Sequence, residues 1–176
     1  MKNSILITLL ILTSPFLTFA ESQEEPEKII VNINSVSTEG IGESLGTIEI
    51  TEEGRSLVLA PNLQKILPEG PHGFHIHVNP DCSPALNKDN ILSPAEAAGP
   101  HYDPLNTKVH LGPENHGHKG DLPFLNADED GNVSDKVSIK GLTLGELKGK
   151  SLMIHAGGDN YSDTPKPLGG GGARIA

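Results

Sequence analysis

From Lys28 to Val36 apolar and polar side chains alternate: Ile29, Val31 and Ile33 fall on one face, Ile30, Asn32 and Asn34 on the other. A period of two marks a strand with one face buried. Gly46–Thr51 repeats the pattern through Ile48 and Ile50, Glu53-Gly54 signals a hairpin, and Leu57–Leu59 follows as its second arm. The Pro68-Glu69-Gly70-Pro71 turn precedes a strand over Gly73–Val78. Asp128–Gly131 predicts a hairpin joining Leu122–Leu125 to Val133–Ile139, Leu142–Lys148 a short helical turn, and Ser151–His155 a further strand. Residues 79–123 and 156–172 are rich in Gly, Pro, Asn and Asp and show little periodicity. Loops of that length inside a domain are usually functional. About eight short strands separated by turn signals predict an all-β fold, a Greek-key β-sandwich or barrel with two long functional loops.

Upstream of this pattern Lys2 precedes an apolar run from Ile5 to Leu12, and Thr18-Phe19-Ala20 offers small residues before the polar stretch from Glu21. The run is too short to span a bilayer. Residues 1–20 are therefore expected to be a cleaved secretory signal, residues 21–27 a flexible acidic N-terminus, and residues 28–176 the folded domain. A periplasmic or secreted location follows from that reading. The chain carries a formal charge of −10, which excludes nucleic acid as a partner because phosphate contacts need a basic face. The hydrophobic fraction of 35% with 3% aromatic residues argues against a membrane-embedded protein and for a modest aliphatic core. Export implies an oxidising compartment, yet Cys82 is the single cysteine.

The candidate chemistry lies in eight histidines. His75 and His77 are two apart on a strand and so point to one face. His101, His110 and His118 lie in the first long loop, with Asp121 three residues after His118. Three imidazoles and a carboxylate suit a closed tetrahedral zinc site. His155 ends a strand at the mouth of the second loop. Imidazole-rich sites suit copper and zinc, and redox work requires copper because zinc has no accessible second oxidation state.

With these residues in view the chain resembles the copper/zinc superoxide dismutases, and among them the bacterial periplasmic branch. The resemblance rests on Gly73-Phe74-His75-Ile76-His77 with Pro80-Asp81-Cys82-Ser83, on Gly99-Pro100-His101-Tyr102-Asp103-Pro104, and on His110-Leu111-Gly112-Pro113. It continues through His118-Lys119-Gly120-Asp121-Leu122, His155 to Asp163, and Leu168 to Arg174 with its four glycines. It implies a copper ion held by His75, His77, His101 and His155, and a zinc ion held by His101, His110, His118 and Asp121, His101 bridging the two. It implies that Asp159 links a copper histidine to a zinc histidine and that Arg174 attracts and positions superoxide, so that Arg174 and His101 serve catalysis. His72 is expected to be structural and His116 an exposed loop residue.

The same resemblance makes Cys82 one half of the family disulfide. Family chains continue past the arginine with a cysteine and a short apolar strand, whereas the sequence here reads Arg174-Ile175-Ala176. The last strand is thus expected to be largely missing and Cys82 unpaired, with a homodimer through Cys82 as the form a second copy would take. The rivals to an enzyme are a copper/zinc-binding module on the same fold and a purely structural sandwich; six histidines in ligand order count against the latter.

Overall fold

The alternation of β1 (Lys28–Ser37) is realised as a strand whose inward side chains end on the fully buried Ile33, while Ile30 faces solvent. The computed structural model describes residues 27–66 and 68–176, so the expected signal segment 1–20 and residues 21–26 of the acidic stretch lie outside the described residues. β1 pairs antiparallel with β2 (Gly40–Glu53), which pairs with β3 (Ser56–Leu63), which pairs with β9 (Val137–Lys140). β2 thus begins six residues earlier than the Ile48/Ile50 pattern indicates. Gly40 to Ser44 has little strand propensity, but the ladder to Ser37 and Val36 supplies its hydrogen bonds.

Facing this sheet are the short pairs β4 (Gly70–His72) with β8 (Leu125–Ala127) and β5 (Phe74–His77) with β10 (Ser151–Ile154). Between the layers Ile33, Ile48, Ile50, Leu57, Leu59 and Leu63 meet Phe74, Ile76, Leu122, Leu125 and Ile154, all buried. Each such side chain is worth about 1.5–3 kcal/mol against its exposed state. The architecture is a β-sandwich. Ten strands appear among the described residues; two of them, β6 (Ala85–Leu86) and β7 (Leu92–Ser93), form a small hairpin inside the first long loop. The helical turn is α1 (Leu144–Leu147), opened by a capping box between Thr143 and Glu146.

The expected hairpin across Asp128–Gly131 is corrected. The turn exists, with Asp128 Oδ1 accepting from the backbone N–H groups of Asp130 and Asn132. Its arms, however, go to different layers: β8 to β4, and β9 to β3. In a sandwich the buried faces of consecutive strands can be used in opposite sheets, and a local turn signal does not distinguish the two outcomes.

At the C-terminal side Arg174 bridges His155, Ile175 N–H donates to Ile154 O, and Val36 N–H donates to Ile175 O. Residues 174–176 thereby follow the expected course of a closing strand between β10 and β1. Alongside lies an apolar cavity of about 390 Å³, lined among others by Ile29, Val31, Ile76, Leu152 and Cys82. Cys82 is unpaired and half-buried, and burial raises its thiol pKa. No helix among the described residues is long and apolar enough to cross a membrane.

Candidate metal centre

All four side chains of β5 are buried, and the strand period divides their work: Phe74 and Ile76 enter the core, His75 and His77 leave on the opposite face. β10 does the same, with Ile154 in the core and His155 following it. The two long loops cover this outer face. His77 bridges His101 in backbone pairing and His75 bridges Asp121, so the ladder itself brings loop residues to the strand histidines.

Each strand histidine is oriented through one ring nitrogen. His77 Nδ1 donates to Gly99 O at 2.7 Å, His155 Nδ1 to Gly172 O at 3.1 Å, and His75 Nε2 to Asp159 Oδ2 at 2.8 Å. His101 Nδ1 lies 2.9 Å from Asp121 Oδ1. The other nitrogens, His75 Nδ1, His77 Nε2, His101 Nε2 and His155 Nε2, are buried and have no partner among the described residues. The four residues' ligand atoms lie within 4.8 Å of one another. A buried unpaired polar atom costs about 1–3 kcal/mol. Four neutral lone pairs converging on one point recover that cost when a cation takes them, and four imidazoles suit copper.

Beside this pocket Asp121 gathers the loop histidines. Its Oδ1 lies 2.9 Å from His101 Nδ1 and 3.3 Å from His118 Nδ1, and its Oδ2 lies 2.9 Å from His110 Nδ1. His110 Nδ1 and Asp121 Oδ2 are both buried and make no hydrogen bond with proper direction. The mutually close ligand atoms on this side belong to His75, His101, His110 and Asp121, while His118 reaches the group through Asp121 alone; three imidazoles and one carboxylate are a donor set that fits zinc. His118 is the least buried of the set, with 11% of its side chain exposed.

Asp159 joins the two pockets. Its Oδ1 accepts from His110 Nε2 at 2.8 Å while Oδ2 holds His75, and Tyr161 N–H donates to Oδ1. The backbone of Gly169 passes against this carboxylate. A Cβ there would collide with Asp159 Oδ1 and approach His110 Nε2 to 2.9 Å, and φ is +68°. Glycine is therefore required at this point of the run that ends at Arg174. The contact with Asp159 is tertiary and has no local signal in the sequence.

Burial, then the neighbouring His101, lowers His77 to a pKa of about 2; burial, then His75, lowers His155 to about 3. Burial lowers His101 to about 4 against the opposing pull of Asp121. For His110 burial also disfavours the charge, but the adjacent carboxylates of Asp121 and Asp159 outweigh it and raise the pKa to about 9. Both carboxylates, which burial alone would raise, are held well below the usual range by hydrogen bonds from the imidazoles.

These shifts set the stability of the metal-free protein. Below about pH 6.5 the unfolded chain binds protons at His77, His101 and His155 that the fold refuses, so stability falls with acid. Between about 6.5 and 9 the fold holds a proton on His110 that the unfolded chain has released, so stability falls with rising pH. Thermal melts in chelator should peak near pH 6.5. Saturating zinc should remove the alkaline decline, because the metal displaces the His110 proton. A melting temperature that rises steadily from pH 6.5 to 9 without metal would contradict this assignment.

Arg174 sits opposite His155. Its Nη1 donates to Ala95 O at 2.6 Å and its Nη2 to Gly99 O at 2.8 Å, and Glu96 lies 3.4 Å away. Gly99 O thus serves both Arg174 and His77. Neither Ala95 O nor Gly99 O is marked by any side-chain signal in the sequence. His72 is buried and spans the carbonyls of His155 and Pro68, 2.7 Å from each, which fits a structural role. His116 is exposed.

Residues 44–176 match the family model of copper/zinc superoxide dismutase. A copper/zinc superoxide dismutase of Brucella melitensis is 48% identical over the whole of this chain and 97% of that protein. One from Escherichia coli is 51% identical over 88% of each. The copper/zinc superoxide dismutase structure from Brucella abortus superposes with a TM-score of 0.80 at 51% identity, covering 85% of this chain and 96% of that one. The monomeric copper, zinc enzyme from Salmonella enterica superposes with a TM-score of 0.73 at 50% identity, covering 85% and 96%.

Proposed function

The chain belongs to the copper/zinc superoxide dismutase family, and on that premise we propose which of its residues carry the reaction. The enzyme converts two superoxide ions and two protons into one dioxygen and one hydrogen peroxide. Copper at His75, His77, His101 and His155 supplies a one-electron couple, and zinc at His101, His110, His118 and Asp121 a fixed positive charge. The observation that supports this assignment is the set of unpaired buried side-chain atoms, which among the described residues belong to these histidines and Asp121 with the exception of Ser151 Oγ.

The protein's own groups do the rest. Asp159 fixes the tautomers of His75 and His110, so that Nδ1 of each points into its pocket. His101 Nε2, buried and without a partner among the described residues, is the atom at which a proton would be held and given to the reduced product. Arg174 places a guanidinium at the mouth, where it draws a monoanion toward a molecule that is acidic overall.

Arg174→Ala should cut the dismutation rate at low salt by about tenfold or more and flatten its dependence on ionic strength, since salt acts on the steering field. The melting temperature should also fall, because Ala95 O loses its side-chain donor and Gly99 O one of two. Arg174→Lys keeps the charge without the fork and should fall between the two. An unchanged rate and salt slope in Arg174→Ala would refute the role.

Residues 1–20 are read as an export signal and the mature domain as periplasmic or secreted, which cell fractionation and the mass of the exported chain test. The raised thiol pKa makes Cys82 slow to oxidise. Any homodimer bridged at Cys82 should therefore form slowly, and sizing with and without reductant tests for it.

A further inference from the structure

Glu96 opens a single turn of 3-10 helix, Glu96–Ala98, preceded by Ala95 in the left-handed region at φ 50°. That geometry turns Ala95 O toward Arg174 and sets the Glu96 carboxylate beside the same guanidinium. Its Oε2 is 3.4 Å from Arg174 Nη1, longer than the 2.7–2.9 Å of a charge-assisted hydrogen bond. The two carbonyls, at 2.6 and 2.8 Å, already fix the guanidinium. Glu96 is therefore placed to act on the charge of Arg174 rather than on its position. Its side chain is 31% exposed against 15% for Arg174, so of the two it is the more accessible to solvent anions.

Resting on the reading of Arg174 as the anion-facing group, we propose that Glu96 is a specificity-determining residue that discriminates singly charged superoxide from multiply charged anions at the mouth of the site. The repulsion of an anion by one carboxylate scales with the anion's charge. In a water-like dielectric, about 6 Å from the carboxylate, it costs roughly threefold in affinity for a monoanion and roughly tenfold for a dianion. A lone arginine over a metal pocket would hold phosphate better than superoxide. The adjacent acid removes more of the dianion's advantage than of the monoanion's. The residue thus gives up some attraction for substrate and keeps the mouth clear of a competitor.

The test uses the copper- and zinc-loaded protein with inorganic phosphate as the probe at low ionic strength. In Glu96→Gln the phosphate concentration that halves dismutation should fall about tenfold. Phosphate should also raise the melting temperature of this variant more than that of the unsubstituted protein. The rate without phosphate should rise by about threefold or less, and its fall with salt should steepen. Glu53→Gln, which removes the same charge from an exposed hairpin end, should leave phosphate sensitivity unchanged. In an Arg174→Ala background, Glu96→Gln should have no effect on phosphate. Equal phosphate sensitivity in Glu96→Gln and Glu53→Gln overturns the proposal, as does a loss of sensitivity in Glu96→Gln, which would mean that the acid positions the arginine. If Arg174→Ala by itself leaves phosphate inhibition unchanged, the role given to Arg174 fails, and this proposal with it.

Discussion

Asp121→Asn should lower zinc affinity by two to four decades while leaving copper bound. Asp121 approaches His101, His110 and His118 at once and is the one carboxylate of its pocket. An amide of the same shape removes the negative charge, and its NH₂ group cannot accept. Breaking a buried charged contact from one side costs about 3–5 kcal/mol, and each 1.4 kcal/mol is tenfold in affinity. The four copper-facing nitrogens do not depend on Asp121 except through His101 Nδ1. The zinc-linked part of stability should vanish with the affinity, since a metal that binds only the fold stabilises it by mass action. Competition for zinc with a chromophoric chelator, and melts with and without zinc, provide the measurement. Zinc affinity within tenfold of the unsubstituted chain would remove Asp121 from the ligand set.

Phe74→Ala should destabilise the metal-free protein by about 3–5 kcal/mol, out of about 5–15 kcal/mol for a domain of this kind. Phe74 is fully buried and lies in the strand that carries His75 and His77, so the cavity opens directly behind the copper pocket. Saturating copper and zinc should restore much of the loss, because binding energy adds to folding energy. Ile30→Ala, in an equally apolar but exposed position at 59%, should stay within about 0.5 kcal/mol. Denaturant unfolding in chelator compares the two. Similar costs for both would mean that β5 is not part of the core.

The periodic part of the fold is written locally. Alternation through Ile29, Val31 and Ile33, and through Ile48 and Ile50, gives strands with the correct inward face. The same rule separates Phe74 and Ile76 from His75 and His77. The period of a strand is a property of neighbouring residues, so one sequence displays it. The ligand residue types were equally legible: imidazoles and one carboxylate in order, with motifs specific enough to name the family. The layer to which each strand belongs was not. Asp128–Gly131 reads as a hairpin, yet β8 and β9 enter different sheets, because a turn fixes the chain's direction and only the packing of both layers fixes its partner.

The sequence by itself determined the strand faces, the candidate ligand residues and the class of ion such residues suit. Tertiary structure decided which nitrogen of each ring is free, since that depends on what holds the other. Gly99 O and Gly172 O hold His77 and His155, and Asp159 reaches His75 and His110 from 84 and 49 residues away. It also decided that Arg174 rests on two backbone carbonyls with Glu96 at its side. Such contacts are made by groups distant along the chain, several of them backbone atoms common to every residue. No pattern of side chains in one sequence encodes them, and they exist only once the loops are folded onto the outer face of β5 and β10.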